Sequence, residues 1–251
     1  MSNDQSVEKV AEACRILGRL DLTHAALGHV SYRAGDDDSM IIKSKGPHEV
    51  GLRYTDPSDV IRVNFEAEKI EGGDGLQAPG ESFLHLHLYK TRPEVRSIVH
   101  IHPEDCLIMG LSKRKLRPQY VGYDPSSAKI LAAGVPIYKS AVTIHDHEKG
   151  IDFARFVSSA NVAIMRGHGI TVLGNSIEDA TVRAINLCRA VHIAYRMALI
   201  GRTTRLSKSE LRSLTATRER GNRGSVEGAE GLASKWGYYA ELTGSEKVHP
   251  G

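Results

Sequence analysis

The sequence predicts an α/β layered fold in which a mixed sheet is covered by helices on both faces. Three observations support this. Segments at helical spacing alternate with short strand-like runs, one of those runs alternates apolar and polar residues, and a long capped helix follows the last pair of strands. The 251 residues, 41% hydrophobic and 25% charged, have ordinary globular composition, so a single domain over 1–251 is expected.

Val7, Val10, Ala11, Cys14, Leu17 and Leu20 recur at helical spacing with polar residues between them, so the chain opens with an amphipathic helix. GHVSYR, SMIIKS and VIRVNFEAEKI then read as strands. In the last, Ile61, Val63, Phe65 and Ala67 alternate with Arg62, Asn64, Glu66 and Glu68, the pattern of a strand with one face in water. EGGDGLQAPG is a turn and loop, and a helix follows over 81–91. PEVRSIVHIH returns to strand, with Val95, Ser97, Val99 and Ile101 on one side and Arg96, Ile98, His100 and His102 on the other.

Next come a helix through SSAKILAA, a strand at VPIYKS, a helix near GIDFARFVSS and strands at NVAIMRG and ITVLG. A long helix over 176–200 opens at SIED, where Ser176 caps amides that Asp179 also faces, and closes at Gly201. Beyond it, Ser207 with Glu210 makes another capping-box start, and the only tryptophan lies in KWGYYAEL. With no internal repeat and no dividing linker, residues 202–251 read as a helical C-terminal extension.

A formal charge of +3 suits an anionic small molecule and falls short of a nucleic-acid footprint. The basic segment 202–223 is interrupted by Glu210 and Glu219 and has no interleaved aromatics, so a solvated or intersubunit helix face is expected there. The N-terminus lacks a basic stretch followed by an apolar one, and nowhere do about 18 apolar residues run together, so neither secretion nor a membrane span is expected. Cys14, Cys106 and Cys188 form no CxxC pair, which points to a reducing cytoplasm.

Successive strand side chains point to opposite faces, so His100 and His102 share one, about 7 Å apart. Two imidazoles at that spacing can share a metal ion; a strand with structural or exposed histidines fits equally. His168 in RGHGI is the candidate third ligand, because its flanking glycines let the backbone turn an imidazole inward, although a tight turn that tolerates a histidine reads the same way. Three histidines with an open position make a catalytic metal site. His145 and His147 repeat the HxH spacing in TIHDHEKG, a polar stretch that belongs at the surface. Glu81, His85 and Tyr89 stand four apart on one helix face. A carboxylate beside a metal is a candidate general acid/base; a glutamate in a first turn also complements the helix dipole.

GHVSYR, KSKG, GESFLHLHLYKTRPEVRSIVHIHP and GHG, in this order, resemble the class II aldolase/adducin family across roughly the first four-fifths of the chain. The resemblance implies a three-layer α/β/α fold with a central mixed, largely antiparallel sheet. It also implies a divalent metal held by His100, His102 and His168, Glu81 as acid/base with His85 as the next motif position, and a homotetramer with sites between subunits. In aldolase members a tyrosine of the neighbouring subunit serves as an acid, and Tyr120 lies nearest that place, with Tyr123 as the other possibility. Three neutral imidazoles favour zinc, while manganese or cobalt suits the same cage.

Sugar-phosphate aldolases of this family place hydroxyl residues before the glutamate, an asparagine in the GNxS loop and a small or hydroxyl residue before the third loop's glycine. Here Pro79 and Gly80 precede Glu81, His29 stands in GHVS and Lys45 precedes Gly46, so a phosphorylated substrate is not expected. His29, Arg33, Lys43 and Lys45, with Ser31 and Gly46 of the same loops, would suit a carboxylate, unless those side chains point to solvent. GHVS with PGE looks most like the family's decarboxylase branch. The resemblance therefore implies a metal-dependent decarboxylase of a hydroxylated aromatic or pyridine carboxylic acid, acting through a metal-stabilised enolate in aromatic catabolism. The alternatives are an aldolase for a non-phosphorylated hydroxy-keto substrate and a non-catalytic adducin-like interaction module. Trp236, Tyr238 and Tyr239 would cover the site or a subunit contact, or simply pack.

Overall fold

A computed structural model describes residues 3–33, 35, 38–118, 125–201, 204, 206–215 and 229–244. Eight strands form one sheet: β1 (His29–Tyr32), β2 (Ser39–Lys43), β3 (Val60–Asn64), β4 (Lys69–Glu71), β5 (Ser97–Ile101), β6 (Ile137–Tyr138), β7 (Val162–Met165) and β8 (Gly169–Gly174). Their spatial order is β4-β3-β2-β1-β5-β8-β7-β6, antiparallel throughout except where β6 runs parallel to β7. The helices are α1 (Asn3–Arg19), α2 (Ser82–Thr91), α3 (Glu104–Leu111), α4 (Pro125–Ala133), α5 (His147–Val157), α6 (Ile177–Ile200), α7 (Lys208–Thr215) and α8 (Ala229–Gly244).

Strand alternation sorts the core into two layers, one on each face of the sheet. Val30, Ile41, Val99, Ile101, Ile170 and Val172 pack with residues of α1, α3, α6 and α8. Met40, Ile42, Ile98, Ala163, Met165 and Leu173 pack with residues of α2 and α5. The parity expected for β5 therefore holds, and all five of its residues are buried because both faces are covered. This is the predicted α/β architecture with helices on both sides of a mixed sheet.

Local chemistry accounts for the main boundaries. In α1 the expected stripe Val10, Ala11, Cys14 and Leu17 is buried, joined by Ala13 and Ile16. At the start of α6 the Ser176 hydroxyl accepts the Asp179 amide at 3.1 Å and the Asp179 carboxylate accepts the Asn175 amide at 3.0 Å. Gly201, at φ +101°, ends it. The Ser207–Glu210 pair forms reciprocally at α7, with the Ser207 hydroxyl 3.2 Å from the Glu210 amide and the Glu210 carboxylate 2.6 Å from the Ser207 amide.

Two elements depart from the sequence reading. The run over 60–70 is a hairpin of β3 and β4, because the Asn64 side chain accepts the amides of Glu66 (3.0 Å) and Glu68 (2.9 Å) and Ala67 adopts φ +64°. Apolar alternation continues across that turn and hides it. The second departure is α3, which begins directly after Pro103 with Glu104 and Asp105 in its first turn and buries Cys106 and Met109. Its eight residues are too few for the periodicity to stand out. Among the described residues, no helix is long and apolar enough to cross a membrane.

Candidate metal centre

The strand register assembles the site. His29 of β1 pairs with His100 of β5, and His100 pairs with Thr171 of β8. Directly paired residues share a face, so these three side chains form a row on the side covered by α2 and α5. His102 follows the end of β5 and His168 precedes β8, and the antiparallel pairing of Ile101 with Ile170 brings the two histidines alongside each other. At Gly169 a Cβ would lie 2.4 Å from the Ile101 carbonyl oxygen and 2.9 Å from the His102 ring, so only glycine fits. Gly167, at φ +65°, supplies the left-handed residue of the preceding turn.

The rings of His100, His102 and His168 stand with centroids 4.7–5.2 Å apart. Glu81, at the N-cap position of α2, enters from the helical layer. Its Oε2 lies 3.3 Å from His100 Nε2, its Oε1 lies 3.3 Å from His168 Nε2, and Oε1 accepts the Ile144 amide at 3.4 Å. One ligand atom from each of the four residues falls within 4.8 Å of the others.

This donor set fits a divalent cation. His168 Nε2 is buried without a hydrogen-bond partner, with Glu81 Oε1 3.3 Å away. The Nε2 atoms of His100 and His102 converge to 2.9 Å. Imidazole nitrogens and a carboxylate that crowd together around an orphaned nitrogen suit a shared ion. Outer contacts orient the ligands as well. The Thr171 hydroxyl donates to Met165 Sδ at 3.6 Å, so its oxygen accepts from His100 Nδ1 at 3.2 Å and leaves His100 Nε2 as a lone pair facing the cluster.

Electrostatics agree with that arrangement. Burial, then the neighbouring His100 and His168, push His102 down to about 3, against the pull of Glu81, so the ring is neutral as a ligand must be. With no ion bound, burial by itself would favour a protonated Glu81, but His100 when protonated, with His168 beside it, outweighs that and holds the carboxyl well below the usual carboxylate range; a cation held by the neutral imidazoles would act on Glu81 in the same sense.

The remaining candidates divide. His29 joins the cluster, with its ring centroid 5.2 Å from that of His100 and only 6% of its surface exposed. His85 lies behind the site: it is fully buried, and its two ring nitrogens meet His29 Nδ1 and the Ser31 hydroxyl, both at 2.7 Å. Neither His85 nor the fully buried Ser31 has a free polar atom to offer a substrate. Arg33 sits at the far end of α2, where Nη1 donates to the Tyr89 carbonyl at 3.1 Å and the guanidinium lies over Phe65.

Lys43, the last residue of β2, is buried in an ion pair with Glu49, since a buried ammonium needs a partner. Lys45 is exposed and pairs through its backbone with Gln77, and Gly46 packs on Leu76. Tyr120 and Tyr123 lie outside the described residues. His147 hydrogen-bonds His87 at 3.0 Å and faces Glu66 at 3.2 Å on the outer side of α2 and α5. Trp236 and Tyr239 pack into the core layer opposite the histidines, and Tyr238 is 68% exposed, so this aromatic group does not cover the site. A cavity of about 890 Å³ bordered by Lys129, Arg183, Asn186 and Lys235 contains none of the cluster residues. Thr171 escaped the sequence reading because a single threonine carries no motif and only strand pairing reveals its role.

The family model for the Class II Aldolase and Adducin N-terminal domain matches residues 8–195, and the chain belongs to this family. Its relatives include 3,4-dihydroxyphthalate decarboxylase of Terrabacter sp. (strain DBF63), 33% identical over 205 residues that cover 80% of this chain and 85% of that one. The protein of the same name from Rhodococcus jostii (strain RHA1) is 32% identical over 197 residues, 77% of this chain and 81% of that one. In fold, an aldolase II superfamily protein from Pseudomonas syringae superposes with a TM-score of 0.82 at 18% identity, across 98% of this chain and 96% of that one.

Proposed function

We propose that this lyase is a divalent-metal-dependent decarboxylase of a hydroxylated aromatic carboxylic acid of the 3,4-dihydroxyphthalate type. The observation that carries the proposal is the convergence of Glu81 with His100, His102 and His168 around an orphaned imidazole nitrogen, in a chain one-third identical to decarboxylases of that substrate. His100, His102 and His168 would hold the ion, zinc by ligand type, with manganese or cobalt able to substitute. Bound there, it is a Lewis acid that stabilises negative charge on a substrate oxygen.

The chain's own residues supply the rest. The carboxylate-bearing ring carbon must take up a proton as electrons move in from the ring hydroxyl oxygen, giving the keto tautomer; loss of carbon dioxide then returns the electron pair of the broken bond to that oxygen as an enolate, which is the phenolate of the product. Glu81, 12% exposed and held by the Ile144 amide, would carry this proton at a carboxylate oxygen. His29 borders the same space and would meet the substrate's polar groups. The Ser82 hydroxyl, next to Glu81, is buried and committed to the Pro79 carbonyl at 2.7 Å, which removes it from any phosphate cradle and favours a non-phosphorylated substrate over a sugar phosphate.

In this reading the protein works in the cytoplasm as a homotetramer, and the segment bearing Tyr120 and Tyr123 contributes to a neighbouring subunit's site. The test is product analysis. Protein reconstituted separately with zinc, manganese and cobalt is incubated with 3,4-dihydroxyphthalate. Release of carbon dioxide with a dihydroxybenzoate product, abolished by chelation and by His168→Ala, is expected. An aldehyde from a hydroxy-keto substrate, with no carbon dioxide from any hydroxyaryl acid, would establish the aldolase alternative instead. Light scattering of the reconstituted protein reads the subunit number.

A further inference from the structure

Behind His29 runs a buried chain of hydrogen bonds that the reaction described above does not use. His29 Nδ1 meets His85 Nε2 at 2.7 Å, His85 Nδ1 meets the Ser31 hydroxyl at 2.7 Å, and Ser31 meets the Tyr89 hydroxyl at 2.8 Å. The Tyr89 hydroxyl in turn lies 3.4 Å from the Arg96 carbonyl. His85, Ser31 and Tyr89 are all fully buried, so no water is at hand to correct a mismatch in the chain. We infer that His85, Ser31 and Tyr89 are a positioning brace that fixes His29 as its Nδ1–H tautomer, so that His29 offers a bare Nε2 to the site and reads a ring hydroxyl of the substrate rather than its carboxylate.

The hydrogens available to the chain fix its direction. Burial pushes His85 down to about 3, so it is neutral and carries one ring hydrogen, and each hydroxyl carries one. The Arg96 carbonyl is an acceptor only and already takes the Arg33 amide at 2.8 Å. If Tyr89 donates to it, Ser31 donates to Tyr89, His85 Nδ1 to Ser31 and His29 Nδ1 to His85 Nε2, and every contact holds one hydrogen. With the chain reversed, the Tyr89 oxygen keeps the Ile98 amide as a donor but faces the Arg96 carbonyl lone pair to lone pair, and that carbonyl loses a donor. Among the described residues Glu81 is the anion beside His29 that would draw a hydrogen onto its Nε2, but both of its oxygens already face other nitrogens, those of His100, His168 and Ile144.

A bare imidazole nitrogen accepts a hydrogen bond, which a phenolic hydroxyl donates and an ionised carboxylate cannot. The substrate half of this inference rests on the decarboxylase reading; the tautomer half does not. Tyr89→Phe should invert the chain. With its only remaining acceptor at His85 Nδ1, Ser31 donates there, His85 Nε2–H donates to His29, and His29 presents Nε2–H to the site. The phenylalanine ring keeps the stacking of Tyr89 on Phe65, so the variant retains its packing.

The experiment is two-bond proton–nitrogen correlation NMR on 15N-histidine-labelled, zinc-loaded protein without substrate, with His29 assigned by the signal lost in His29→Gln. The Nδ1–H pattern in the unsubstituted protein and the Nε2–H pattern in Tyr89→Phe are expected. Binding of 3,4-dihydroxyphthalate to zinc-loaded Tyr89→Phe should weaken about tenfold, the effect of one neutral hydrogen bond. An Nε2–H or doubly protonated His29 in the unsubstituted protein overturns the inference, as does a His29 tautomer indifferent to both Tyr89→Phe and Ser31→Ala. If the unsubstituted protein neither binds nor decarboxylates 3,4-dihydroxyphthalate, the substrate half falls with the decarboxylase reading, and the NMR result still decides the brace.

Discussion

Replacing Thr171 by valine should weaken metal binding while leaving the fold intact. The Thr171 hydroxyl is fully buried and bridges Met165 Sδ and His100 Nδ1. Valine keeps the branched shape but gives His100 Nδ1–H no acceptor, so the ring either buries an unpaired donor or turns its hydrogen toward the cluster, where a ligand needs a lone pair. Loss of such an outer contact lowers metal affinity roughly 10- to 100-fold, which is about 1.4–2.8 kcal/mol. Competition for zinc against a chromophoric chelator measures the affinity, and urea unfolding of the metal-free protein measures the fold. Thr171→Ser, which restores the hydroxyl, should recover most of the affinity. Met165→Leu should fall between, since it removes the sulfur that orients the hydroxyl but keeps the acceptor. Zinc affinity unchanged in Thr171→Val would refute the assignment of Thr171 as the group that sets the His100 tautomer.

Three further outcomes follow from the packing. Gly169→Ala forces a Cβ against the Ile101 carbonyl and the His102 ring and should lower stability by about 1–3 kcal/mol in urea titrations, with a loss of zinc affinity because His102 must move. Glu49→Gln strips the partner from the buried Lys43 ammonium and should destabilise by about 3 kcal/mol, whereas Lys43→Met with Glu49→Gln recovers most of that loss by the same measurement. In the metal-free protein, His85 titrates near 3 when folded and near its ordinary 6.5 when unfolded. The unfolded chain thus binds the extra proton between those values, so stability should fall as pH drops from about 6.5 to 3, and His85→Gln should flatten that slope by up to about 1.4 kcal/mol per pH unit.

The sequence by itself determined the layered architecture, because burial periodicity is local: a period of 3.6 or 2 over a dozen residues announces which face must leave water. It also determined that His100 and His102 share a face, which follows from strand parity alone, and it singled out Glu81 and His168 as candidates by helix position and by flanking glycines. Local signals failed where one pattern overlay another, as at the Asn64 turn inside an unbroken alternation, and where an element such as α3 is too short to show a period. What only the tertiary structure decided is everything that depends on register across strands and helices distant in sequence. His29, Arg33 and Lys43 read alike as loop-borne donors, yet pairing with β5 sends His29 into the cluster while Arg33 and Lys43 are absorbed by Tyr89 and Glu49. Thr171 behind His100, and His85 behind His29, owe their positions to contacts 71 and 56 residues apart in the chain. Such contacts leave no periodic trace, because each is specified by the packing of whole elements rather than by its neighbours along the backbone.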